Sequence, residues 1–344
     1  MSVATSLVRL VTTLLLVVTI SAPAVAAGEW QSFEPGPDAV CADGSAADFF
    51  EREADPERVV LYFEGGGGCW SEETCRFDGP DKAYTSSSEW VAESLPDRGG
   101  LFDFANPENP LADHSWVYVP YCTGDLHLGD VTREYGDDLI VEHRGAVNAR
   151  TALDHLVERF PDAQELVVAG VSAGSVPTPL YAALAADRLP DARIVTLGDG
   201  SGSYPDDPVI NGFLGTQWGV MNAVPDWPET ADLGVRDWSV PGLYVYGGRH
   251  APNVTFGRFD FAFDEAQVFY GALVGVAADD LVTLLDQIEA DIEALGVPLA
   301  SYTAPGDDHR LLWRDLVYEV EVEGVRLIDW ITDDVTGEPV EDVH

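Results

Sequence analysis

An α/β architecture, an open and doubly wound, mostly parallel sheet with helices on both faces, is the fold class this sequence predicts, and three observations predict it. Short apolar runs recur along the chain as continuous rather than alternating segments, which is what strands buried on both faces require. Amphipathic helical stretches lie between them, so the connections read as βαβ units. A glycine-flanked serine follows directly on one apolar run and precedes a helix, where sheets of this kind present ligands beyond the carboxyl ends of their strands.

The runs predicted as strands are Val59 to Phe63, Trp116 to Val119, Leu166 to Ala169, Ile194 to Leu197 and Leu243 to Tyr246. Helices are predicted over Val147 to Phe160, where Val147, Leu153, Leu156, Val157 and Phe160 share one side, through Leu180 to Ala186, and over Asp279 to Leu295. The stretch Asp199 to Trp238 is rich in Gly, Pro, Asp and Trp and lacks periodicity. Its aromatics Tyr204, Phe213, Trp218 and Trp227 would be costly to leave in water, so it reads as a cap or excursion rather than a linker. No internal repeat or low-complexity tract is seen. With 344 residues, 46% of them hydrophobic, the chain can bury one large core, and a single domain is expected over residues 28–344. Ahead of it, Arg9, the apolar run Leu10 to Ile20 and the small residues Ala24-Val25-Ala26-Ala27 have the layout of a cleavable secretory signal over residues 1–27. That run is short for a bilayer, and no later segment is long and apolar enough to span one.

Sixty acidic residues against 18 basic give a formal net charge of -42, and Lys82 is the only lysine. Nucleic acid is excluded as a partner, because its phosphates need a basic face. Such a charge repels itself at low ionic strength, whereas in about 1 M salt the screening length falls to roughly 3 Å, so a salt-rich environment is expected. Four cysteines in an exported chain favour disulfides and can pair in three ways. Cys69 and Cys75 are close enough to close a small loop, which leaves Cys41 and Cys122 as the second candidate pair. No metal is expected, since no second CxxC or His pair stands at ligand spacing; no cofactor is expected either, and the protein is expected to be a monomer.

The sharpest local signal is Gly170-Val171-Ser172-Ala173-Gly174 after the apolar run Leu166 to Ala169. The glycines let the backbone turn sharply and lift the serine hydroxyl into a cleft. A hydroxyl is a weak nucleophile at neutral pH, so a neutral imidazole must take its proton and a carboxylate must orient that imidazole, in the chain order Ser, Asp, His. Only His250, His309 and His344 follow Ser172. His344 closes the sequence and is read as mobile, and His250 comes few residues after the predicted strand Leu243 to Tyr246. His309, in the turn Pro305-Gly306-Asp307-Asp308-His309, suits a base carried on a loop. For the acid, Asp199, Asp260 and Asp264 all stay open on spacing, while Asp307 and Asp308 read as solvated turn formers. The run Glu64-Gly65-Gly66-Gly67-Gly68-Cys69-Trp70 follows the strand Val59 to Phe63 and would let backbone N–H groups approach a developing oxyanion, together with the N–H of Ala173. Glu64 stands where the HGGG loop of esterases has His, and no Gly-Lys-Ser/Thr follows to make a phosphate loop.

Several pieces, in order from about residue 41 to 310, resemble the pectin acetylesterase and Notum family of carboxylesterases: Cys41-Ala42-Asp43-Gly44-Ser45, Leu61-Tyr62-Phe63-Glu64-Gly65-Gly66 with Cys69 and Cys75 behind it, Pro120-Tyr121-Cys122, Gly170 to Gly174, Phe263-Asp264-Glu265-Ala266-Gln267, and His309. The resemblance implies an α/β-hydrolase-like fold with Ser172 as nucleophile, Asp264 as acid and His309 as base. It also implies oxyanion donors at the N–H groups of Gly65, Gly66 and Ala173, and a Cys69–Cys75 disulfide. Members of this family remove acetyl groups from plant pectin or a fatty acyl group from a signalling protein. The Notum branch carries an aromatic where this chain has Gly67, which weakens the case for a lipid pocket built the same way. Pectin is a polyanion that an acidic enzyme meets slowly unless salt screens the encounter. The expected substrate is therefore a short acyl ester, acetyl first, of a carbohydrate or small molecule. Rival readings are a secreted carbohydrate-binding protein on the same scaffold, a lipase or peptidase using the same triad, and a glycosidase using paired carboxylates.

Overall fold

The computed structural model describes residues 28–33, 35–76, 84–85, 88, 91–277 and 280–344. The expected signal over residues 1–27, Lys82 and Asp279 lie outside these residues.

In chain order the strands are β1 (Trp30–Phe33), β2 (Phe49–Arg52), β3 (Asp55–Phe63), β4 (His114–Val119), β5 (Val131–Tyr135), β6 (Leu139–His143), β7 (Glu165–Val171), β8 (Arg193–Asp199), β9 (Thr255–Phe261), β10 (Ala300–Ala304), β11 (Glu321–Val322) and β12 (Val325–Arg326). The helices are α1 (Glu72–Cys75), α2 (Val91–Ser94), α3 (Gly145–Arg159), α4 (Thr178–Arg188), α5 (Pro208–Trp218), α6 (Val240–His250), α7 (Glu265–Leu273), α8 (Leu281–Ala294) and α9 (Leu327–Thr336). Eight strands form one sheet in the order β1-β2-β4-β3-β7-β8-β9-β10. From β4 to β10 every pairing is parallel, and β1 and β2 add an antiparallel edge.

Both faces are covered, as the continuous apolar runs predict. Val59, Leu61 and Phe63 of β3 join one core, with Leu153 and Leu156 of α3, Ala182 and Ala185 of α4, Val245 of α6 and Ile292 of α8. The alternate residues Val60 and Tyr62 join the other, under Val91 of α2 and Leu327, Trp330 and Ile331 of α9. The fold is α/β-hydrolase-like, with the strand ends from β3 to β10 converging on one edge where the loops carry polar groups.

Two expectations fail. Leu243 to Tyr246 is not a strand but the middle of α6, where Ser239 caps the helix through Oγ accepting from Gly242 N at 2.9 Å and Tyr244 and Val245 turn inward. His250 therefore ends a helix. The missing strand is β9, which the apolar pattern hides because Arg258 and Asp260 lie inside it, both buried and paired at 2.9 Å. The capping stretch contains α5; Trp218 and Trp227 are buried and Tyr204 half-buried, but Phe213 is 44% exposed. Four residues after the exposed Val209, it shares that outward side of the helix. Disulfides join Cys41 to Cys122 and Cys69 to Cys75.

Candidate active site

Strand β7 runs straight into Ser172, whose φ of 51° lies in the left-handed region that a residue with a Cβ seldom adopts. The flanking glycines make that turn possible. A Cβ on Gly170 would stand 2.1 Å from Gly174 O, and one on Gly174 would stand 2.2 Å from Phe63 O. The glycine run after β3 packs against the same elbow, since a Cβ on Gly65 would lie 2.2 Å from Val171 O and 2.8 Å from Ser172 Cβ. A Cβ on Gly66 would meet Tyr121 Cδ1 at 2.4 Å. Only a bare backbone fits there, and the glycine run thereby lies against the serine turn at Gly65.

Behind the run, Glu64 is fully buried. Its Oε1 meets Arg98 at 2.6 Å and its Oε2 accepts from Tyr121 N at 3.2 Å. Its carbonyl accepts from His127 Nε2 at 2.9 Å. Burial pushes the His127 imidazole down to about 4, so it stays neutral and donates a single proton to that carbonyl. Glu64 thus orders the loop from behind, a role its place in the motif does not announce.

His309 follows β10 on a loop. Its Nδ1 lies 2.6 Å from Asp264 Oδ2, and because a carboxylate only accepts, that nitrogen donates and Nε2 is left with the lone pair. Asp264 is buried at the N-cap of α7, where Oδ1 accepts from Ala266 N at 2.9 Å and Gln267 N at 3.1 Å. Gln267 Nε2 adds a bond of 3.1 Å to Oδ2 and one of 2.8 Å to Asp260 Oδ1, while Gln267 Oε1 accepts from Ser203 N at 3.0 Å. The ring of His309 sits over the strand end next to the serine. Val171 pairs with Asp199, so Ser172 and Gly200 are the next residues on neighbouring strands, and a Cβ on Gly200 would be 3.1 Å from His309 Nδ1.

The alternatives have other partners. Asp260 pairs with Arg258 and accepts from Gly202 N at 2.9 Å. Asp199 accepts from Leu311 N at 2.6 Å and Leu312 N at 3.0 Å, gripping the chain just past His309. Burial pushes its carboxyl up to about 8 against the pull of those two N–H groups. His250 meets Asp187 at 2.8 Å and Glu229 at 3.2 Å, and stacks on Trp227. His344 lies 3.9 Å from Asp286. The structure pairs His309 with Asp264; Asp199 and Asp260 lie nearby but are engaged by other partners, and His250 and His344 have their partners elsewhere. Sequence reasoning weighed Asp199 only as a candidate acid and gave Gln267 and Glu64 no supporting role; the Asp-Glu-Ala-Gln spacing, which puts Gln267 three residues after a helix cap, is the one signal that could have found one of these roles.

Beside Ser172 and Ala173 lies an apolar cavity of about 50 Å³, walled by Trp70, Leu126, Leu214, Trp218 and Trp238. As for metals, Cys69, Cys75 and His143 lie close together, yet both sulfurs are in a disulfide and the His143 nitrogens meet Thr123 O at 2.9 Å and Tyr135 Oη at 3.0 Å. Glu289, Asp342 and His344 bring potential ligand atoms within 4.8 Å of one another, a grouping of partly exposed acids common in proteins without an ion.

A family model described as pectinacetylesterase matches residues 33–223. Palmitoleoyl-protein carboxylesterase notum2 of Xenopus laevis is 32% identical over 142 residues, 39% of this chain and 27% of that protein. Pectin acetylesterase 4 of Arabidopsis thaliana is 26% identical over 167 residues, 47% of this chain and 40% of that protein. The match thus spans less than half the length of these relatives. Among solved structures, the Wnt deacylase Notum from Drosophila superposes with a TM-score of 0.64 at 17% identity, covering 93% of this chain and 97% of that one, and so shares the fold.

Proposed function

Because the chain belongs to the pectinacetylesterase family, we propose that it is a secreted serine carboxylesterase that cleaves short acyl esters, acetyl first, through an acyl-enzyme. In this reading Ser172 Oγ attacks the ester carbonyl while His309 Nε2 takes its proton. The developing oxyanion is met by the N–H groups of Gly65, Gly66 and Ala173. The imidazolium then returns its proton to the leaving alcohol, and water, activated by the same ring, releases the acid. Asp264 holds the ring in the tautomer that leaves Nε2 open and stabilises its charged form. The 2.6 Å contact between His309 Nδ1 and Asp264 Oδ2, beside the strand end that carries Ser172, is the observation on which this rests.

The small apolar cavity beside Ser172, of about 50 Å³ and walled by Trp70, Leu126, Leu214, Trp218 and Trp238, supports a short acyl group such as acetyl. Two disulfides support export to an oxidising compartment. The alcohol is proposed to be a carbohydrate or small molecule, since the surface charge disfavours polyanions at low salt.

The test is p-nitrophenyl acetate in molar salt. The protein should give an acyl-enzyme burst, and Ser172→Ala should lose at least about 10⁴-fold in kcat with its fold intact. Asp264→Asn should lose a comparable or smaller factor through a misoriented ring. A Ser172→Ala protein as active as the parent would overturn Ser172 as the nucleophile, and a parent with no turnover on any ester would leave a binding protein on a hydrolase scaffold as the better account.

A further inference from the structure

A second apolar cavity of about 30 Å³ lies against the middle of α6, walled by Leu128, Leu180, Val220, Trp227, Leu243 and other residues. Among the described residues, the one common to its wall and to that of the cavity beside Ser172 is Trp238. The indole is almost wholly buried, at 4% exposure, and it is held in place from two sides. Its Nε1 donates to Asn211 O at 2.9 Å, and it packs so tightly on α5 that a Cβ on Gly215 would lie 2.2 Å from that nitrogen. A ring fixed in this way is a partition, because neither hydrogen bond nor packing lets it swing aside cheaply.

We propose that Trp238 is the end wall of the acyl site and sets the longest acyl chain the enzyme accepts, with the second cavity as the space a longer chain would enter if the indole were absent. The inference rests on the esterase reading above for its catalytic meaning. Its physical basis is independent: two apolar spaces, one side chain between them, and apolar walls on both sides that would bury methylenes. Each methylene buried contributes about fourfold to binding, so removing the partition should lengthen the preferred chain by several carbons rather than weaken binding generally.

The experiment compares the parent with Trp238→Ala and Trp238→Leu on p-nitrophenyl esters from acetate to decanoate in molar salt, after checking the melting temperature of each. In the parent, kcat/KM should peak between two and four carbons and fall by at least about tenfold by octanoate. In a folded Trp238 variant the peak should move outward by two or more carbons, with octanoate gaining about tenfold relative to acetate. A second arm needs no turnover: octanoic acid titrated calorimetrically into Ser172→Ala and into Ser172→Ala/Trp238→Ala should bind about tenfold more tightly to the double variant. An unchanged chain-length profile together with equal octanoic acid affinities in folded variants would overturn the partition. A parent inactive on every ester, with the affinity difference intact, would overturn the esterase reading alone.

Discussion

At the scale of single residues, three buried carboxylates near one imidazole are kept distinct by their partners. Asp264 meets His309, Asp260 meets Arg258, and Asp199 holds the amides of Leu311 and Leu312. Asp199→Asn keeps an oxygen acceptor for those amides, whereas Asp199→Ala strands two buried N–H groups and should cost about 1–3 kcal/mol. The sign of the pH effect follows from the raised value. With its carboxyl at about 8 when folded and near the ordinary range when unfolded, the folded protein holds an extra proton between these limits. That contribution is fully present below about pH 4 and is lost as pH rises through 8. Melting temperatures at pH 5 and pH 8 should therefore fall less steeply for Asp199→Asn than for the parent; equal slopes would refute it. Gln267 separates two like charges by donating to both Asp260 and Asp264. Gln267→Glu should lower kcat at pH 8, with the deficit relative to the parent shrinking at lower pH as the new carboxyl takes up a proton, and KM little changed. A kcat unaffected at both pH values would show that the amide does not position Asp264.

At the scale of elements, the glycine run after β3 and the elbow after β7 are one packed unit. Gly65 can lie against Val171 O because nothing projects from its Cα, and the Cys69–Cys75 disulfide closes the far side of the same loop. Gly65→Ala puts a methyl 2.2 Å from a backbone carbonyl, so the run or the elbow must move. The expected loss in kcat is about 10² to 10³, the scale of a lost oxyanion donor, with a smaller change in melting temperature. Steady-state kinetics on p-nitrophenyl acetate would check it, and a kcat within threefold of the parent would count against these amides as the donors. The Cys41–Cys122 bond works on a different scale: with 81 residues between its ends, it restricts the unfolded chain by about 4 kcal/mol in the chain-entropy picture.

For the whole molecule, the governing quantity is a formal charge of -42 spread over a fold with 18 basic side chains. Many of the ion pairs among the described residues, such as Arg188 with Asp154, are exposed, and such pairs are too weak to offset repulsion among the excess carboxylates. Molar salt reduces the range of that repulsion to roughly 3 Å. The melting temperature should therefore rise between dilute buffer and about 1 M sodium chloride, measured at fixed pH. A melting temperature that stays level or falls would end the proposal that the protein is adapted to high salt.

Patterns that are local in the chain carried the parallel core and the chemistry on their own. Unbroken apolar runs marked β3, β4, β7 and β8, because a strand covered on both faces needs no polar residue for five or more positions. Gly-x-Ser-x-Gly and the glycine run were legible because their geometry depends on residues next to one another in the chain. Tertiary structure alone decided the rest. Strand β9 was hidden because Arg258 and Asp260 interrupt its apolar run and pair as ions inside the fold, and α6 passed for a strand because a short apolar run fits either period. Which aspartate faces His309, what Glu64 does, and how far the acyl cavity extends before Trp238 closes it all depend on groups brought together from distant parts of the chain. Proximity of that kind is created by packing and cannot be read from any local window of sequence.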